Sequence, residues 1–428
     1  MRLPYLLFIS LSFFSVLALA LSLPQPRLSK RDGDDDGPEA DGPEEGAEFE
    51  KTAPKPTRIP LPEEVFDQDP IAKGDGKAGG GGKVREYFIT AEEIIWNYAP
   101  MKYDRFHGAP LNETRARTFL VQGPHRIGST YKKAAYRSYT DATFRNPITH
   151  EWSLGLLGPV IRAEVGDTIR VTFKNMASRP YSMHPHGVHY TRENEGVMHA
   201  EAKNQPGAAV KPGETFVYVW TVPERSGPGP ADASSVLYTY HSHVEELSDI
   251  YAGLMGPLVI YRPGMLNERG MPSGHLDQEV FTILIIIDEN RSPYLEQNIL
   301  EYCDDPRGVD RKDPGFRVSN YKNSINGFMY NNLDELSLGL GTRVRWYVMS
   351  LGGSFDMHTA HWHGATVLYN GHRTDVVDLM PASFRVVDMI PDNQGEWMFH
   401  CHVSDHMMDG MTIFYQVVPV AEGATSNF

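Results

Sequence analysis

Ten histidines, one cysteine and one methionine are the chemistry-bearing residues of this 428-residue chain. The histidines fall in four clusters: His184/His186, His241/His243, His358/His361/His363 and His400/His402/His406. In an extended H-x-H segment both rings share a face, because side chains alternate along a strand. Two imidazoles on one face can grip metal. Cys401 stands between His400 and His402, with His406 five residues on and Met411 ten on. A thiolate with imidazoles and a weak thioether is the donor set of an electron-transfer copper site. Its second imidazole must come from elsewhere in the chain, and His358 is the candidate. Zinc is the rival for a Cys/His set, but it seldom uses Met and has no need of eight further histidines at these spacings.

The elements that position these residues repeat. Tyr181-Ser-Met-His184-Pro-His186-Gly187 matches His358-Thr-Ala-His361-Trp-His363-Gly364, and His241-Ser242-His243-Val244 matches His400-Cys401-His402-Val403. Short apolar or alternating runs surround them: Thr168–Phe173, Thr215–Thr221, Leu254–Tyr261, Val280–Ile287, Thr342–Met349 and Met411–Val418. Gly, Pro, Asn and Asp separate the runs, and long stretches of helical period are missing. This pattern predicts an all-β chain of β-sandwich type. A Pro/Gly-rich break, Arg262–Gly274, divides it, giving expected domains at 84–263 and 275–421.

The four clusters resemble the four copper motifs of the multicopper oxidases. The segments Tyr87-Phe-Ile-Thr-Ala-Glu-Glu, Lys211-Pro-Gly-Glu-Thr, Val222-Pro-Glu-Arg, Ser248-Asp-Ile-Tyr-Ala-Gly-Leu-Met-Gly-Pro-Leu and Asp288-Glu-Asn resemble its ceruloplasmin/hephaestin branch. The similarity runs over about residues 85–420, in what looks like a two-domain form. The resemblance implies two cupredoxin-like domains and four coppers per functional unit. It implies a type 1 copper held by His358, Cys401 and His406 with Met411 axial. It implies a type 2 copper on His184 and His361, and a type 3 pair on His186, His241, His243, His363, His400 and His402. In the first half Tyr181, Ser242 and Leu247 stand where His358, Cys401 and His406 stand in the second. Only the second half is therefore expected to hold type 1 copper. A copper nitrite reductase would need fewer histidines, so that cousin is disfavoured.

The activity implied is oxidation of Fe(II) at the type 1 copper, coupled to reduction of dioxygen to water at a trinuclear cluster. Cys401 with its neighbours His400 and His402 would carry the electrons, over a distance on the order of 10 Å at about 3.3 Å per residue. Asp405 matches an acidic position of the ferroxidase iron site. Asn323 departs from that pattern, standing where those ferroxidases carry a His. A laccase-like oxidation of phenols or aromatic amines is the close alternative. Copper storage without turnover is the reading from another class. His372 and Asp378 are candidates for a supporting shell. In this family the cluster lies between two domains, and six-domain members close a ring. A two-domain chain closes the same ring as a homotrimer, with clusters between subunits.

Residues 1–20, MRLPYLLFISLSFFSVLALA, read as a secretory signal peptide ending in an A-x-A pattern. Lys30-Arg31 suggests a processing site. Residues 21–83 read as a disordered acidic and Gly-rich tail or pro-segment, with ten acidic and no basic groups in 32–50. No other segment is long enough to span a membrane. Asn112-Glu113-Thr114 and Asn290-Arg291-Ser292 are glycosylation sequons. The formal charge is −15, and setting aside residues 1–50 leaves −9, which argues against a nucleic-acid partner. Two cysteines in a secreted chain first suggest a disulfide. With Cys401 read as a ligand, Cys303 is left as a free thiol or an intermolecular partner.

Overall fold

The computed structural model describes residues 82–198, 205–334 and 336–420. The expected signal peptide, the Lys30-Arg31 pair and the acidic run 32–50 lie outside the described residues, as do 421–428.

Each half is a sandwich of two sheets, and strand order is the same in both. In the first half, one sheet runs Thr130–Tyr139, Val84–Asn97, Thr168–Asn175, Thr215–Thr221. Its partner sheet runs Ile161–Glu164, Met255–Tyr261, Ser235–His241, His184–Pro185. In the second half the corresponding sheets are Tyr321–Ile325, Gln278–Asp288, Val344–Ser350, Ser383–Met389 and Ser337–Gly339, Thr412–Val418, Gly395–Cys401, His358–Trp362. The second half adds the short strands Val367–Tyr369 and His372–Thr374 to one sheet, and Val376–Leu379 to the edge of the other. Both halves carry a parallel pair at the same place, Val84–Asn97 with Thr168–Asn175 and Gln278–Asp288 with Val344–Ser350. The helices are short; the longest among the described residues is Leu295–Tyr302.

Alternation decides which side chains fill the sandwiches. Thr168–Asn175 buries Ile169, Val171, Phe173 and Asn175 and turns Thr168, Arg170, Thr172 and Lys174 outward. Tyr136, Tyr218, Trp220 and Tyr240 complete that core. The second core, around Trp346, Trp362 and Phe399, does not stop at the halfway break. It continues without interruption into Trp96, Tyr98, Tyr131 and Tyr261 of the first half.

Polar contacts follow the same seam. Trp96 Nε1 donates to the Gly327 carbonyl at 2.8 Å, and Arg162 pairs with Glu279 at 2.8 Å. Lys133 and Tyr98 both donate to the buried Glu289 carboxylate. Breaking one partner of such a buried pair strands a charge and costs about 3–5 kcal/mol. The halves are thus fixed to each other by shared core, and Arg262–Gly274 is a connection over one compact unit.

Candidate metal centres

Strand register sorts the second-half candidate ligands onto two faces. His358–Trp362 pairs antiparallel with Gly395–Cys401, placing Ala360 opposite Cys401 and His361 opposite His400. Residues opposite each other point to the same side of a sheet. Ala360 and, two residues back, His358 therefore share the inner face with Cys401. His361 shares the outer face with His400. One strand pair presents two different donor sets, back to back.

The inner set is a triangle. His358 Nδ1 and His406 Nδ1 are 3.2 Å apart, and each lies 3.7 Å from Cys401 Sγ. A point equidistant from all three corners lies about 2 Å from each, near the metal–nitrogen and metal–sulfur bond lengths of about 2.0–2.3 Å. His358 is oriented by Asp356, whose carboxylate sits 3.2 Å from Nε2 and also accepts from the Ile286 and Gly353 amides. That contact leaves Nδ1 facing the sulfur. The loop after Cys401 closes beneath it: Cys401 N donates to Met411 O at 3.1 Å, and Met411 N donates to His406 O at 3.0 Å. Met411 is fully buried. Burial pushes the Cys401 thiol up and the His406 imidazole down to about 4. A thiol and two imidazoles at these spacings suit a soft or borderline cation.

The outer set is a quartet of imidazoles. His361 has ring contacts with His363, His400 and His402, and His363 Nε2 is 3.0 Å from His400 Nε2. The first half builds the same object. His184 has ring contacts with His186, His241 and His243, and His186 Nε2 is 3.1 Å from His241 Nε2. Backbone carbonyls fix the orientation of equivalent rings in both halves. His184 Nδ1 faces Glu195 O, His361 Nδ1 faces Asp375 O, His241 Nδ1 faces Ser242 O and His400 Nδ1 faces Cys401 O, at 2.7 to 3.0 Å. Each then offers Nε2 inward, as metal-ligating imidazoles do. Burial, reinforced by neighbouring rings, pushes His186 and His400 down to about 4 and His241 to about 3. Imidazoles converging on a small volume fit soft or borderline divalent metal.

The glycine that follows the first H-x-H of each half has a packing reason. Gly187 (φ +77°) and Gly364 (φ +69°) adopt the left-handed conformation. A Cβ on either would come within 2.4 or 2.5 Å of the Tyr238 or Trp397 ring.

The two quartets are separate. Among the described residues no ring contact or hydrogen bond joins His184, His186, His241 or His243 to His361, His363, His400 or His402. The triangle has no counterpart in the first half either. There Ser242 Oγ donates to Asp249 at 2.6 Å, and the same carboxylate accepts from the Val244 and Glu245 amides. Tyr181 reaches Tyr294 OH at 2.9 Å.

The other candidates divide. Asp405 is exposed, in the first turn of the helix Ser404–Met408 that carries His406. His372 is exposed in a surface hairpin, and the Asp378 carboxylate pairs with Arg385 at 3.2 Å. Neither touches the triangle or a quartet. Asn323 is buried opposite Ile286, and its Oδ1 has no hydrogen-bond partner. Cys303 is a buried free thiol, pushed up to about 11 by burial, so the two cysteines form no disulfide. Sequence reasoning missed Asp356. The only trace of it is an acid two residues before His358.

Family profiles described as multicopper oxidase match residues 152–264 and 305–420. Ferroxidase HEPHL1 of Homo sapiens is 42% identical over 341 residues, covering 79% of this chain and 29% of that protein. Ceruloplasmin of Homo sapiens is 40% identical over 344 residues, covering 78% of this chain and 31% of that one. The chain belongs to the multicopper oxidases. It spans about a third or less of the length of these curated relatives. Among solved structures, a copper nitrite reductase from Nitrosomonas europaea superposes with a TM-score of 0.50 at 15% identity, covering 81% of this chain and 98% of that one. That likeness concerns fold alone, and the fold of this multicopper oxidase is two cupredoxin-like domains.

Proposed function

We propose that this multicopper oxidase couples one-electron oxidation of a reductant at the His358/Cys401/His406 triangle to reduction of dioxygen to water. The oxygen chemistry belongs to a trinuclear site built from the two quartets. Copper, when bound, supplies one-electron redox chemistry at the triangle and four-electron chemistry with dioxygen at the cluster.

The observation that carries this reading is the back-to-back register of Cys401 and His400. A backbone step of one residue links the sulfur face to the imidazole face, so both donor sets lie on one covalent path. Asp356 holds the His358 ring so that Nδ1 faces Cys401. Met411, fully buried, is the proposed axial ligand, and His406, half-buried, is the ligand nearest solvent.

The first reading of the reductant is Fe(II). The relatives include a protein named as a ferroxidase, and the exposed Asp405 carboxylate beside His406 is a hard oxygen donor for that ion. A second reading, an aromatic reductant, is favoured by the surface around His358. Phe355, Met357 and Met380 are 70, 54 and 52% exposed. Met357 and Met380 flank the His358–Leu379 pair of the strand ladder. Clustered exposed apolar side chains mark contact sites.

We also assign the chain to the secretory route on its first 20 residues. Among the described residues no helix is long and apolar enough to cross a membrane. The working assembly is a homotrimer, in which one chain's first quartet meets the next chain's second. Its support is the separation of the two quartets within one chain.

Oxygen uptake by copper-loaded protein, measured with Fe(II) and then with a phenol, tests the proposal. Uptake with Fe(II) that Asp405→Ala weakens supports the ferroxidase reading. Uptake with phenol alone supports the second reading. No uptake with either, in protein carrying its full copper load, overturns both.

A further inference from the structure

The two sequons differ in what their asparagines are doing. Asn112 lies in the turn Leu111–Glu113, between a buried Leu111 that anchors the turn and a Thr114 that ends it. Its side chain is exposed, and no hydrogen bond engages its amide. The Thr114 hydroxyl accepts from the Ala116 amide at 3.2 Å, which sets the turn without involving Asn112.

Asn290 is half-buried and fully engaged. Its Nδ2 donates to Asp288 Oδ1 at 2.8 Å and to Arg317 O at 3.0 Å. Its Oδ1 accepts from Asn320 Nδ2 at 3.1 Å. Asn320 is itself fully buried and holds Tyr131 through its Oδ1. The adjoining residue, Glu289, is the buried acceptor of Lys133 and Tyr98. Ser292 is 6% exposed, with its hydroxyl accepting from the Tyr294 amide.

We infer that Asn112 is the N-glycosylated residue of this chain and that Asn290 stays bare in the folded protein. The step needs a lipid-diphosphate-linked oligosaccharide as donor. Asn Nδ2 attacks the anomeric carbon of the first sugar. The Nδ2–C1 bond forms, the C1–O bond to diphosphate breaks, the lipid diphosphate leaves with the bonding pair, and Nδ2 gives up one proton. No oxidant or reductant is involved.

After the step an asparagine keeps one amide hydrogen. At Asn112 nothing is lost, and a bulky solvated sugar suits an exposed turn. At Asn290 one of two hydrogen bonds must break. The sugar would also have to lie where Asp288, Arg317 and Asn320 now close around the amide. Losing that partner is unfavourable before any steric term. A chain carrying a sugar there cannot close the seam that Asn320 and Glu289 tie. Arg115, three residues past Asn112, is ion-paired with Asp409 in the loop between His406 and Met411. The sugar therefore stands beside the surface of the proposed type 1 site.

The inference rests on the secretory reading, so the test separates the two. Residues 21–428 are expressed behind a proven secretion leader in a eukaryotic host, while the unaltered chain is expressed in parallel to test its own leader. Glycopeptide mass spectrometry of the secreted, folded protein is expected to find sugar at Asn112 and unmodified Asn290. Asn112→Gln, and separately Thr114→Ala, should abolish the mass loss seen on enzymatic deglycosylation. Ser292→Ala, which removes the other sequon while keeping Asn290, should leave that mass loss unchanged. Sugar at Asn290, or secreted protein with none at Asn112, overturns the inference. Retention of the unaltered chain inside the cell, with the leader-fused chain modified at Asn112, overturns the secretory reading alone.

Discussion

On the proposed reading, single side chains decide which half of the molecule does redox chemistry. Where the second half has Cys401, the first has Ser242, and an oxygen in place of sulfur changes the pocket's partner from metal to Asp249. We expect Cys401→Ser to remove the intense visible absorption of the copper-loaded protein and its oxygen uptake with every reductant. The two quartets should still load, since backbone carbonyls orient His184, His241, His361 and His400 without help from the sulfur; metal analysis alongside absorption checks this. Asp249 gives a second expectation. It is 3% exposed, and burial raises its carboxyl from 3.8 to about 6. Between those values the folded chain holds a proton that the unfolded chain has released. Stability therefore falls as pH rises through that window. At about 1.4 kcal/mol per unit, the ionised side chain costs on the order of 3 kcal/mol at neutral pH. Asp249→Asn should flatten the slope of stability against pH between 4 and 6, read by chemical denaturation of metal-free protein. Parallel curves for the two proteins would refute the assignment of this cost to Asp249.

At the scale of elements, much of the architecture was legible because it is local. The run Thr215–Thr221 forms a strand with those bounds. The apolar runs ending at Ile287 and Val418 lie within one or two residues of the strands observed. The sharing of a face by paired histidines follows from alternation alone. What was not legible is non-local. Nothing in the residues says that Ala360 lies opposite Cys401, and that register puts His358 on the sulfur's side. Asp356 escaped for the same reason, since an acid in a loop acquires its role only when Ile286 and His358 close over it. The H-x-H-G glycines offer a test of how tightly these elements are fitted. Gly364→Ala forces a strained backbone, about 1–3 kcal/mol, and drives a methyl into Trp397 on the strand that carries His400 and Cys401. Gly371→Ala meets the same conformational strain at φ +74° with open space around it. Denaturation should show the first variant losing clearly more stability than the second. Metal analysis should show only the first losing copper. Equal losses would mean that Trp397 yields and the contact does not position the site.

For the whole molecule the central observation is two imidazole quartets with no contact between them among the described residues. Each quartet holds four imidazoles in ring contact, and the shared core and buried Glu289 pairs keep the halves from swinging together. A closed ring of copies resolves this, because each interface then pairs a first quartet with a second one and no quartet is left over. Light scattering should give three times the mass of one chain, but mass alone does not place the active centres. Complementation does. One variant carries His184→Ala and His186→Ala; the other carries His361→Ala and His363→Ala. Each alone should reduce no oxygen. Unfolded and refolded together with copper, they assemble at random. A centre is then intact when the first quartet of the second variant faces the second quartet of the first variant, which happens at about a quarter of interfaces. The intact second half in that pairing also carries Cys401, so electrons enter next to a complete centre. Oxygen uptake returning to about a quarter of the wild-type value would locate the centres between subunits. If the centre were formed within one chain, every chain in the mixture would lack two of its eight imidazoles, and uptake would stay at zero whatever the mass.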